Sequence, residues 1–153
     1  MIRMTKQADY GIVLMSHMAG DAGRQFTAGE LAGETSLPAP TASKILKILT
    51  RNGLLESHRG VKGGYSLARD TETITMAQII SALDGPIAIT ECIDDTPGEC
   101  SQEPLCSVRG NWQRINDAIR LALESITLAE MAQPLTQPLV TLGSSPAQVA
   151  EIR

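Results

Sequence analysis

The spacing of apolar positions along the chain is helical over most of its length. Thr5 can cap a first helix running to about Met18, with Ile12, Val13 and Met15 among its apolar positions. "GDAGRQF", residues 20–26, breaks the pattern. A short helix follows at about Ala28–Glu34, and "TSLPAP" interrupts it. The next helix runs from about Thr41 to Asn52, where Gly53 supplies a left-handed stop. Helix, tight turn and helix over this length is a helix-turn-helix pattern.

The second of these helices has two faces. Ile45, Leu46 and Leu49 form an apolar stripe, while Lys44, Lys47 and Arg51 share the other side. A solvated face on an ordinary amphipathic helix would look the same. The next seventeen residues or so change the balance. "LLESHRGVKGGYSLARD" reads as two short strands, about 54–59 and 65–68, around a tip with Gly60, Gly63 and Gly64. Arg59 and Lys62 flank the bend. A basic hairpin after a helix-turn-helix is a wing, with the helix suited to the major groove and the hairpin to phosphates or the minor groove. DNA binding is the expectation, with Thr41, Ser43, Lys44, Lys47, Arg59 and Lys62 as the candidate contacts.

Further along, Thr75 and Gln78 form a capping box for a helix ending near Leu83, with Gly85 behind it. A longer helix covers about 108–126 and carries Trp112, Ile115, Ile119, Leu123 and Ile126 on one stripe. A winged helix of this size needs a partner to read a two-fold site, so this helix is assigned to a homodimer interface. Thr127 and Glu130 can cap one last short helix. Beyond Gln133 the sequence "PLTQPLVTLGSSPAQVAEIR" has no periodicity and reads as a flexible tail.

Charge sharpens the picture. The 153 residues carry a net charge of −4, yet residues 1–75 hold nine Lys/Arg against seven Asp/Glu, and residues 76–153 four against ten. Between 38 and 69 six basic side chains face Glu56 alone. A basic segment inside an acidic protein suits a polyanion. No apolar run approaches the ~20 residues that span a bilayer, and the N-terminus lacks a signal-peptide pattern, so a cytoplasmic location and no membrane partner are expected.

The chain's three cysteines, Cys92, Cys100 and Cys106, all fall in "ECIDDTPGECSQEPLC", residues 91–106. Their sequence neighbours are acids and prolines rather than the apolar groups around a buried structural thiol. Glu91, Asp94, Asp95, Glu99 and Glu103 surround them, a field that opposes three thiolates unless a cation sits between them. The spacing C-x7-C-x5-C lacks the close pairs of structural zinc sites, and no histidine falls in the loop. Soft thiolates from one loop also suit an iron–sulfur cluster. His17 and His58 are assigned to the first helix and the wing. An enzyme is not expected, because there is no catalytic pair, phosphate loop or cofactor fingerprint.

Three features together carry a family resemblance: "MTKQADYGIVLM", "NGLLESHRGVKGGYSLAR", and three cysteines before a long helix. Over about residues 1–132 the chain resembles the Rrf-two family of bacterial winged-helix regulators, the group of IscR and NsrR. Within it the chain is most similar to regulators of the SUF iron–sulfur assembly operon. The resemblance implies a homodimer on double-stranded, palindromic operator DNA and one iron–sulfur cluster (2Fe-2S or 4Fe-4S) per subunit. It implies Cys92, Cys100 and Cys106 as ligands, and Ser43 and Lys44 as DNA contacts.

Two departures matter. Seven residues separate the first two cysteines where the family often has five, and Arg109 stands where IscR-like members have a histidine. NsrR-like members use an aspartate on the first helix across the dimer, and Asp9 occupies that position. The expected fold is therefore mainly α, a winged helix-turn-helix with a small β-hairpin wing, a cysteine loop and a long dimerisation helix. Residues 1–84 would bind DNA, 85–107 the cluster, and 108–132 the second subunit, with 133–153 as tail. The expected function is cluster-dependent regulation, repressing SUF-type assembly genes. A nitric-oxide sensor and a zinc-stabilised module are the alternatives.

Overall fold

Side-chain caps set most of the helix starts. In the computed structural model, which describes residues 3–60, 63–93, 100 and 105–133, Thr5 opens α1 (Lys6–Ala19) by accepting from the Ala8 N–H at 3.1 Å. Reciprocal capping boxes open three more helices: Thr27–Glu30 before α2 (Ala28–Glu34), Thr75–Gln78 before α4 (Met76–Asp84), and Thr127–Glu130 before α6 (Leu128–Ala132). The hydrogen bond from the Thr27 N–H holds the Glu30 carboxyl below its ordinary pKa. Helix α3 (Ala39–Arg51) begins two residues before the expected Thr41 and has no side-chain cap. Pro40 falls in its first turn, where the missing N–H costs nothing. Gly53 ends it with φ +70°, as expected. The long helix α5 spans Arg109–Glu124.

The core is aliphatic. Leu14, Met15 and Met18 of α1 meet Leu31, Ile45, Leu46, Leu49, Ile79 and Leu83 from α2, α3 and α4, all buried, with Phe26 as the one buried ring. Each such side chain contributes roughly 1.5–3 kcal/mol of transfer free energy. Val13, expected on the apolar side of α1, is exposed; Ala8 and Gly11 take the buried positions instead. Leu128 of α6 is fully buried in this same core. The Thr75–Thr127 bridge, with Met76 N–H donating to Ile126 O at 2.9 Å and Leu128 N–H to Ile74 O at 2.7 Å, fastens it there. The end of the segment read as 108–132 thus contributes to the core of the 1–84 unit.

Strands β1 (Leu55–His58) and β2 (Gly64–Leu67) pair antiparallel, Leu55 opposite Leu67 and His58 opposite Gly64. Phe26 adds a third short piece: it exchanges both backbone hydrogen bonds with Tyr65, at 2.9 and 2.7 Å. Arg24 stacks 4.4 Å over the Phe26 ring, and His17 and Arg24 both reach Glu34. The turn between α1 and α2 is thereby tied to the base of the hairpin. A mainly helical chain with a two-stranded hairpin after its helix-turn-helix is a winged-helix fold. No helix among the described residues is long and apolar enough to cross a membrane.

The close approach of Phe26 to β2 makes a testable demand. A Cβ at Gly64 would lie 2.5 Å from the Phe26 carbonyl oxygen, a backbone atom that cannot swing aside. Gly64→Ala should therefore destabilise the protein by about 1–3 kcal/mol in urea unfolding. Gly33→Ala, with nothing within 4 Å, should be neutral or stabilise by up to about 1 kcal/mol.

Candidate nucleic-acid interface and cysteine cavity

Helix α3 presents its two faces as its sequence spacing requires. Ala42, Ile45, Leu46 and Leu49 are buried, Lys44, Lys47 and Arg51 are exposed, and Thr41 and Ser43 are half-buried at the edge. Arg59 is exposed directly after β1, ahead of Gly60 at φ +118°. None of Lys44, Lys47, Arg51 and Arg59 is paired with a carboxylate among the described residues. Their charges are free for phosphates. Lys62 lies outside the described residues, so the basic pair at the hairpin tip is described at Arg59 alone.

Asn52, which caps the end of α3, is not singled out by the sequence pattern. Its Nδ2 donates to Ile48 O at 2.9 Å and to Ala82 O at 3.3 Å, joining α3 to the last turn of α4. A polar residue after a helix is ordinary, and only its partner across the fold distinguishes it. The same turn of α4 is held by α1: Thr5 donates to Asp84 at 2.7 Å, and Gln7 to Leu83 O at 2.6 Å.

The cysteines follow this end of α4 in the chain, beyond Gly85. Cys92, Cys100 and Cys106 line one open cavity of about 620 Å³, together with Ala88, Ile89, Thr90, Glu91 and Trp112. Two sequence expectations are corrected here. Cys92 is buried, at 9% exposure, and its cavity carries apolar groups that sequence neighbours do not reveal, because Ala88, Ile89 and Trp112 fold onto it. The apolar stripe of α5 also divides. Trp112 turns to the cysteine cavity and Leu123 packs on the core, while Ile115 and Ile119 line a shallow open groove with Ala118 and Ala122. Most of the acids, at 94–99 and 101–104, lie outside the described residues.

The donor set has the chemistry for a soft metal or cluster, since three thiols face one space. Among the described residues no three His, Cys, Asp or Glu side chains converge on a single ion. Asp9 is exposed in the first turn of α1 and does not line this cavity. His17 pairs with Glu34 and His58 with Ser66, so neither joins the cysteines.

A family model described as Rrf2, iron-dependent transcriptional regulator, matches residues 4–134. The chain belongs to the Rrf2 family. It is a transcriptional regulator of that family and not an enzyme. Among curated relatives, the regulator CymR of Bacillus subtilis is 31% identical over 132 residues, covering 86% of this chain and 90% of CymR. The regulator IscR of Escherichia coli is 27% identical over 132 residues, covering 85% and 80%. The solved structure of B. subtilis CymR matches with a TM-score of 0.69 at 29% identity, over 86% of this chain and 97% of that one. T. potens IscR matches at 0.66 and 26% identity, over 85% of each.

Burial orders the thiols of this Rrf2 regulator. In metal-free protein, Cys100 and Cys106, both half-buried, should be alkylated before buried Cys92. Site-resolved mass spectrometry checks this; Cys92 labelling first would contradict the burial of that thiol.

Proposed function

We propose that this Rrf2 regulator reads iron–sulfur status and represses SUF-type assembly genes, acting in the cytoplasm as a homodimer on a palindromic operator. One observation carries the reading: all three thiols of the chain line one cavity against α5. An iron–sulfur cluster bound there would supply the redox-sensitive signal, with soft thiolate ligands. Cys92, Cys100 and Cys106 would hold it, and Trp112 would shield one side from water. Asp9 of the partner subunit is the proposed fourth ligand, a reading supported by the exposure of Asp9 at the start of α1.

Residues 1–84 are read as the DNA-binding unit and 85–107 as the cluster loop. Residues 108–132 are read as the dimerisation region and 133–153 as tail. The exposed apolar face of α5, with Ile115 44% exposed, supports a second copy as its occupant. Thr41, Ser43, Lys44, Lys47, Arg59 and Lys62 would contact the operator. A second reading comes from the likeness to CymR, the global cysteine regulator of B. subtilis. In that case the thiol cavity would answer to cysteine supply without a cluster.

Anaerobic purification separates the two. Iron and sulfide with visible charge-transfer absorption are expected, lost on replacing any one of Cys92, Cys100 or Cys106 by Ala. Zinc alone, or no metal, would contradict the cluster. For DNA, Lys44→Ala and Lys62→Ala should each lower the salt slope of binding by about 0.9 per phosphate contact removed. An unchanged slope and affinity in both would remove the proposed winged-helix contacts.

A further inference from the structure

We propose that Asn116 is the positioning residue of the cysteine cavity, holding Cys92 in place by clamping the segment before it to α5. Asn116 is 5% exposed and is the one buried polar side chain among the described residues. Its Nδ2 donates to Ile87 O at 2.9 Å, and its Oδ1 accepts from the Ile89 N–H at 3.2 Å. A single carboxamide thus satisfies a carbonyl and an N–H on alternate residues, as a neighbouring strand would. It fixes both the position and the register of 87–89.

That register bears on the thiols. Ala88 and Ile89 are walls of the cavity, and Cys92 comes three residues after Ile89. Thr90, between them, approaches Cys92 Sγ with its hydroxyl at 3.4 Å. Trp112 supplies the facing wall, and its spacing of i, i+4 from Asn116 puts both on one side of α5. One helix therefore carries the wall of the cavity and the clamp for the opposite wall. Upstream, Gly85 adopts φ +89°, a conformation that L side chains rarely adopt, and so makes the turn between α4 and the clamped segment. The alternative is that Asn116 merely adds general stability, with no bearing on Cys92.

The proposal rests on the thiol cavity being the functional site, and its test reads the thiols without any metal. Full-length metal-free protein is alkylated with iodoacetamide, and each cysteine is followed by mass spectrometry. Asn116→Ala should raise the Cys92 rate about tenfold over wild type, the local effect of stranding two backbone groups. Cys106 should change by less than about twofold. A folded variant with an unchanged Cys92 rate, or with all three thiols rising together, would overturn the proposal.

Asn116→Asp keeps the test open where the alanine variant fails to fold. Ionised, the new carboxylate accepts from Ile89 but repels the Ile87 carbonyl; protonated, it can make both bonds. The Cys92 rate, as a ratio to wild type at the same pH, should be higher above the new carboxyl's titration, which burial shifts upward, than below it. A ratio that ignores pH would overturn the proposal. Iron and sulfide analysis of the wild type decides the cluster reading separately. Their absence would end that reading while the Cys92 rates still decide this one.

Discussion

Leu83 lies over Gly11 so closely that any side chain at Gly11 would collide with it. Helices α1, α3 and α4 pack together around this contact, with Ile45 of α3 also close to Gly11. With no Cβ in the way, α4 settles against α1, and Leu83 and Ile79 are buried in the core shared with Ile45 and Leu49. The last turn of α4 is then within reach of two other helix ends. Thr5 and Gln7 bind it from the start of α1, and Asn52 binds it from the end of α3. The helix that carries Lys44 and Lys47 is therefore referenced to α4 at its far end as well as through its buried stripe.

Beyond that turn the chain changes its attachments. Asp84 is tied to α1, and two residues after Gly85 the backbone at Ile87 is tied to Asn116 of α5. A glycine at φ +89° sits between the two anchor points. On one side lies the basic face of α3, and on the other the cavity with the three thiols. The far end of α5 is itself joined to the packed core through Leu123, so α5 connects the cavity to that core. In the proposed homodimer α5 also meets the second subunit, so its setting would govern the spacing of two reading heads.

Most element boundaries were legible in the sequence because they are written in short-range chemistry. Thr5, Thr75 and Thr127 announce helix starts through side chains that bond within three residues, and Gly53 announces a stop. The basic face of α3 was equally local, a consequence of helical spacing. What escaped is what long-range contacts decide. Val13 carries an apolar side chain but lies on the outer side of α1, whereas Gly11 is buried there. Phe26 joins the hairpin through a single bridge to Tyr65 that no alternation signals. Cys92 stands among acids in the sequence yet is buried, because Ala88, Ile89 and Trp112 surround its cavity. Asn116 sits among polar neighbours on α5, and only its two partners 27 and 29 residues away distinguish it.

The central claim is that the state of the thiol cavity sets the affinity of the basic face for DNA. The direct measurement is operator binding by one preparation, iron–sulfur-loaded and then chelator-stripped, at a single fixed salt concentration. A coupling of the usual allosteric size, about 1–3 kcal/mol, predicts roughly a 5- to 150-fold difference in Kd between the two forms. Equal affinity in loaded and stripped protein, both dimeric and folded, would contradict the claim.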